Sequence, residues 1–126
     1  MSAKRFEYPF EKLRVWQESR ILCREVYTAT KFFPKSETYG LVSQMNRAAV
    51  SVAANLAEGS SRSSFRDQAH FSQIAYGSLM ELACMSLISL DETFLSAETE
   101  SQLRARIESV SRQLDALHKS QLARAN

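Results

Sequence analysis

Only 2 prolines and 3 glycines punctuate 126 residues, and so few helix breakers over that length argue for an all-helical chain. The breaks that do exist divide it into four periodic segments. The first is expected over about 10–33, with Pro9 just before its start and Pro34 ending it, because the residue before a proline is pushed out of helical geometry. Leu13, Trp16, Cys23 and Tyr27 fall on one face of it, flanked by Val26. The second is expected over about 37–58, with a stripe of Leu41, Met45, Ala48, Ala49, Val52 and Leu56. Gly59 stands where a left-handed residue would close it. Ser64 with Asp67 three residues on forms a variant capping box, opening a third helix over about 65–94. Ser96 is an N-cap for a fourth over about 97–122. There Leu103, Ile107, Val110, Leu114 and Leu117 alternate spacings of four and three, the heptad seam of a bundle. Connections this short predict one domain over 1–126, an up-down-up-down antiparallel four-helix bundle.

The third segment is the most apolar. Phe71, Ile74, Ala75, Leu79, Leu82, Ala83 and Leu90 cover well over one stripe of its circumference, and a helix apolar over a broad arc must be covered from several sides. A single bundle leaves part of that arc bare, and a second subunit is the simplest cover, so a homo-oligomer is expected. The second segment points the same way. Ala49, Val52, Ala53 and Leu56 line one edge; Ser43, Arg47, Ala54 and Glu58 line another. Small residues on more than one edge suit a helix packed closely on several sides. Ala48, Ala49, Ala53, Gly59 and Gly77 are therefore the close-packing candidates.

Net charge is +2, too small to mark a nucleic-acid binder. The distribution is uneven: residues 1–36 hold eight Lys/Arg against four Asp/Glu, and residues 65–95 hold one against four. Lys4, Arg5, Lys12, Arg14, Arg20 and Arg24 are the candidates for contact with RNA or DNA, and an assembled homo-oligomer would repeat any such patch. Against this, Glu7, Glu11, Glu18 and Glu25 interleave with those cations and can pair with them along the helix. Cys23 and Cys84 lack CxxC spacing and lie in apolar stretches, as expected of two buried free thiols. No apolar signal-peptide core and no run of ~20 apolar residues is apparent. The expected compartment is the cytoplasm, with no membrane partner.

Catalytic constellations are weak. Asp67-Gln68-Ala69-His70 and Asp115-Ala116-Leu117-His118 each resemble half of a di-iron carboxylate site. The usual carboxylate there is Glu, and Asp115 points about 120° away from the Leu103–Leu117 seam. No nucleophile elbow or phosphate loop is present, so no catalytic residue, metal or cofactor is assigned.

SQMNRAAVSVAANLAEG (residues 43–59) resembles the signature of the rRNA intervening-sequence protein family, SQ-x-x-RAA-x-S-[IV]-P-x-N-[IL]-AEG. LRVWQESRILCREVYTATKFFP resembles that family's first helix, and YGSLMEL (residues 76–82) its GSL-x-EL segment. The likeness runs from about residue 8 to 120. Ala53 replaces a proline frequent in the family, and Ala83-Cys84 replaces a frequent Glu-Thr. The resemblance implies a left-handed bundle, commonly assembled as a ring-like homopentamer, with no established catalytic activity. Many members are encoded within insertions in ribosomal RNA genes, and a related retroelement branch binds nucleic acid. Arg47, Asn55, Glu58 and Glu81 match motif positions and are the expected structural or interface polar residues.

Overall fold

A computed structural model describes residues 3–126 and contains four α-helices with no strand among them. They are α1 (Arg14–Thr30), α2 (Ser43–Ser60), α3 (Phe65–Asp91) and α4 (Ala97–Ala125). Contacts run α1–α2, α2–α3, α3–α4 and α1–α4, so the four helices enclose one core. Leu22, Val26, Met45, Val52, Leu79, Leu82, Val110 and Leu114 lie at its centre.

The first two helices are shorter than periodicity suggests. Pro9–Lys12 forms a separate 3-10 turn, with Glu11 accepting from the Tyr8 backbone N–H at 2.8 Å, and extended Leu13 separates it from α1. Before α2, Lys35–Glu37 is a 3-10 turn and Thr38–Val42 a widened π turn. There Gly40 departs from helical geometry, and the Glu37 carboxylate accepts from the Leu41 N–H at 3.3 Å.

The buried face of α1 also differs from the expected one. It is Val15, Ser19, Leu22, Val26, Ala29 and Thr30, while Tyr27 is exposed and Leu13, Trp16 and Cys23 are half-buried. The cause is Ser19, which sits mid-stripe and donates to the Val15 carbonyl at 2.7 Å. A serine whose hydroxyl is satisfied by its own helix occupies a core position without the desolvation penalty of an unpaired polar group. α3 buries three serines, one satisfied by its own helix and two by neighbouring helices. Ser86 donates to the Leu82 carbonyl at 2.9 Å, Ser72 to Gln121 of α4 at 2.7 Å, and Ser89 to the Met45 sulfur at 3.5 Å. No buried side-chain N or O among the described residues lacks a partner.

Small residues lie at several of the contacts between helices. Ala48 and Ala49 are buried in α2, and α1 comes close enough for the Cys23 thiol to donate to the Ala49 carbonyl at 3.2 Å. Burial pushes that thiol up from its ordinary range, which disfavours the reactive thiolate. Cys84, by contrast, is exposed, because it lies on the outward side of α3. Gly59 is not a left-handed cap. It is a buried residue of α2, and a Cβ there would lie 2.9 Å from the Phe71 Cβ of α3. Its role is steric: the missing side chain is where α3 crosses. A Cβ on Gly77 would meet no atom of the described residues within 4 Å.

α3 ends at Asp91, three residues before the expected limit, through a Schellman motif. Phe94 N–H bonds the Ser89 carbonyl at 2.9 Å and Thr93 N–H the Leu90 carbonyl at 3.0 Å. The left-handed position is filled by Thr93, φ 64°, where glycine is usual. No glycine marked this stop, which is why sequence reading overran it. At the other ends the caps form as expected: Ser64 accepts from Asp67 N–H and Ser96 from Thr99 N–H, each at 3.1 Å.

α3 also corrects the membrane reading. By length and composition it is apolar enough to cross a bilayer, although Glu81 lies within it and its inward residues complete the bundle core. Its apolar residues are interrupted by serines and glycine, so no unbroken run advertises it.

Two substitutions check these local arguments by urea denaturation. Gly59→Ala gains helix propensity of about 1 kcal/mol but drives a Cβ into the rigid Phe71 Cβ. Overpacking of that kind costs about 1–3 kcal/mol, so the midpoint should fall. Thr93→Gly relieves a left-handed β-branched residue worth about 1–2 kcal/mol and should raise the midpoint.

Candidate functional site

The best-developed polar cluster joins α1 to α4. Arg106 donates to Glu25 at 3.0 Å and to Glu18 at 3.4 Å, Ser109 donates to Glu18 at 2.8 Å, and Gln113 donates to the other Glu18 oxygen. Burial alone would push the Glu18 carboxyl up. The hydrogen bonds from Ser109, Gln113 and Arg106, with the Arg106 charge, outweigh it and hold the carboxyl below its ordinary range. The same contacts, foremost the hydrogen bond to Glu25, hold Arg106 above its own ordinary range. Sequence spacing did not reveal this cluster, since its members lie more than 80 residues apart across the Arg106 contacts.

The basic residues of the first segment are only partly free. Lys12 lies 3.7 Å from Glu7, Arg14 3.9 Å from Glu18, and Arg20 sits over the Trp16 ring at 5.6 Å. Lys4, Arg5 and Arg24 are exposed with no ion pair among the described residues. On α4, Arg104, Arg112 and Lys119 each pair with the acid four residues before them. Among the described residues, seven of the 16 Lys/Arg side chains thus form ion pairs within the chain, and surface pairs of this kind are worth little individually.

The four motif residues separate into two kinds. Asn55 donates to the Ser51 carbonyl at 2.8 Å and to its hydroxyl at 3.0 Å, and Ser51 bonds Ser78 of α3 at 2.9 Å, a polar bridge between α2 and α3. Glu58 accepts from Arg62 at 2.6 Å, and Arg62 covers the Phe71 ring at 4.8 Å. Arg47 and Glu81 are exposed and engage no charged partner among the described residues. The same two helices carry exposed apolar side chains: Val50 on α2, and Ile74, Tyr76, Met80, Leu87 and Ile88 on α3.

A groove of about 480 Å³ lies between the end of α1, the α3–α4 turn and the start of α4, walled by Phe32, Phe94 and Leu95 with Arg24 at its edge. It is open and holds no convergent set of titratable groups. The two Asp-x-x-His patterns do not converge either. Asp115 pairs with Lys119 at 3.0 Å, His70 lies edge-on to Phe71, and no group of three or more His, Cys, Asp or Glu among the described residues could hold a metal.

The α1–α4 cluster carries a pH signature. The stability contributed by a carboxylate whose folded pKa is depressed is present above its unfolded pKa and is lost as pH falls through the folded value. Glu18→Gln should lower stability by about 1–3 kcal/mol at pH 7. The gap from the parent should close as pH is taken below the carboxylate range, because the parent Glu18 is then itself neutral. Urea titrations at both pH values check it.

No individual curated protein matches the chain. The model of the 23S rRNA-intervening sequence protein family matches residues 11–116, a span that includes the Ser51–Asn55 bridge, Gly59, the whole of α3 and the Arg106–Glu18 cluster. With four helices and a family match over most of its length, the chain belongs to the 23S rRNA-intervening sequence protein family.

Proposed function

We propose that the protein is a non-enzymatic, self-assembling interaction module. It is read as an up-down-up-down, left-handed four-helix bundle that works in the cytoplasm as a ring-like homo-oligomer, with a pentamer favoured. The observation that carries the reading is α3: its most apolar 18-residue window is only 33% buried within one chain. Ile74, Tyr76, Met80, Leu87 and Ile88 on its outward side are each more than a third exposed. A contiguous apolar face of this kind marks an interaction surface, and a second copy covers it most simply. The bundle topology draws support from the side-chain pairs between helices. Cys23–Ala49 and Thr30–Asn46 join α1 to α2 with one number rising as the other falls, as antiparallel neighbours require.

A nucleic-acid role is the second reading, favoured by the exposed Lys4, Arg5 and Arg24, which form no ion pair among the described residues. It ranks lower because the net charge is small and Arg104, Arg106, Arg112 and Lys119 of α4 are already paired with acids on the same chain.

Light-scattering mass separates the two. The expected result is a mass of several 14.3 kDa chains that does not change when structured RNA is added at low salt. A complex with RNA that dissolves at moderate salt would instead favour the phosphate-binding reading, since counterion release makes such binding steeply salt-dependent. A mass of one chain would remove the assembly reading.

A further inference from the structure

Acids and bases interleave along α1 in sequence, and the fold sorts them to different sides. Glu18 and Glu25 face α4, where Arg106 bonds both and Ser109 and Gln113 add bonds to Glu18. Arg20 and Arg24 lie about 100–160° around the helix from those acids. Lys31, which caps α1, falls about two turns beyond Arg24 on the same line. All three are exposed and form no ion pair among the described residues. They make one row of cations from which the carboxylates of their own helix are turned away.

The row borders two open depressions that share Arg24. The first, of about 520 Å³, is lined by Trp16, Gln17, Arg20, Ile21 and Arg24. The second is the groove of about 480 Å³ between α1 and α4, where Phe32 and Phe94 stand beside buried Leu95 and Leu103. Among the described residues Glu25 is the one carboxylate lining either depression, and Arg106 takes it at 3.0 Å. Ile21 is 45% exposed and Phe32 82%. From Trp16 to Phe32 this surface runs about 24 Å along the helix, at ~1.5 Å per residue. It is a strip of positive charge with apolar footing beside it.

We infer that this face of α1 docks an acidic, amphipathic segment of another protein. Its carboxylates meet Arg20, Arg24 and Lys31, and its apolar side chains cover Ile21 and enter the groove between Phe32 and Phe94. This names a partner for the interaction module proposed above and rests on that reading, but not on the contact between copies. Charge complementarity sets the sign of the partner and steers its approach, while burial of the apolar members supplies affinity. A nucleic-acid strand answers the cations alone. Single strands bind by stacking bases on aromatic rings, and Trp16 is already engaged by Phe10 at 4.8 Å and by Arg20 at 5.6 Å. Ile21, Leu95 and Leu103 offer aliphatic surface instead.

A displayed library of random peptides tests the assignment. It is selected on the parent protein and counter-selected on the Arg20→Glu/Arg24→Glu double variant. The survivors should be rich in Asp and Glu interspersed with large apolar residues. A fluorescently labelled survivor should lose on the order of tenfold or more in affinity on the double variant and on the order of fivefold on Ile21→Ala. It should keep parent affinity on Arg112→Glu, a charge reversal on α4 away from the row. Survivors without acidic character, an empty selection, or parent-like binding to the double variant overturns the inference. If polyuridylate binds the parent where no peptide does, and is lost on the double variant, the row belongs to nucleic acid and the inference falls likewise. Light scattering separates this inference from the assembly reading. The double variant should keep the parent's mass, and a fall in mass places the row in the contact between copies and overturns the docking inference. A monomeric parent that still binds the peptide overturns the assembly reading alone. The altered sites are exposed, so helicity and urea midpoint should stay at parent values. Should the double variant unfold, Arg20→Gln with Arg24→Gln replaces it: weakened peptide binding supports the inference, and parent-like binding overturns it.

Discussion

The interaction on which the rest of the structure depends is the burial of α3. It packs on α2 and α4, and its inward residues Ala75, Leu79, Leu82 and Met85 close the core. A helix in a four-helix bundle turns roughly one stripe inward, and α3 is apolar well beyond one stripe. The surplus lies outside, at Tyr76, Met80, Leu87 and Ile88. Its short polar interruptions, Ser72, Ser86 and Ser89, are on the buried side, where hydrogen bonds satisfy them. Much of the usual placement of polar and apolar residues is therefore inverted on this helix.

That inversion follows from how closely the helices approach. Serine, alanine and glycine bring backbones near one another, and each hydroxyl must then find a partner within reach. Ser19 and Ser86 use carbonyls of their own helix, Ser51 and Ser78 use each other, and Ser72 uses Gln121. Gly59 marks the tightest crossing, with Phe71 in the space a side chain would fill. Charged residues sort in the opposite way. The largest charged network, Arg106 with Glu18 and Glu25, lies between α1 and α4, on a different pair of helices from the exposed apolar seam.

Much of the fold was legible in the sequence, and the misses have particular causes. The helix count, the heptad seam of α4 and the Ser64 and Ser96 caps depend on local pattern and hydrogen bonding within a few residues, and the structure contains them. The α1 face was misread because Ser19 interrupts its apolar rhythm, and hydropathy cannot tell a self-satisfied serine from a solvated one. The end of α3 was overrun because Thr93 takes the left-handed position without the usual glycine. Gly59 was assigned a capping role because its neighbours in sequence suggested a helix end; its actual reason is Phe71, a neighbour only in space. Of the candidate site, the motif residues could be named in advance, but not their partners. Asn55 and Glu58 serve local bonds, and Arg47 and Glu81 engage no charged partner among the described residues.

By itself the sequence determined that the chain is all-helical, that it has four helices, and which family it resembles, because breaker scarcity, periodicity and motif order are properties of neighbours along the chain. Only the tertiary structure decided which serines are buried, which glycine is crossed by another helix and which charges are already paired. Those depend on residues that meet across the bundle: Gly59 and Phe71, Ser72 and Gln121, Arg106 and Glu18 come together only when four helices pack.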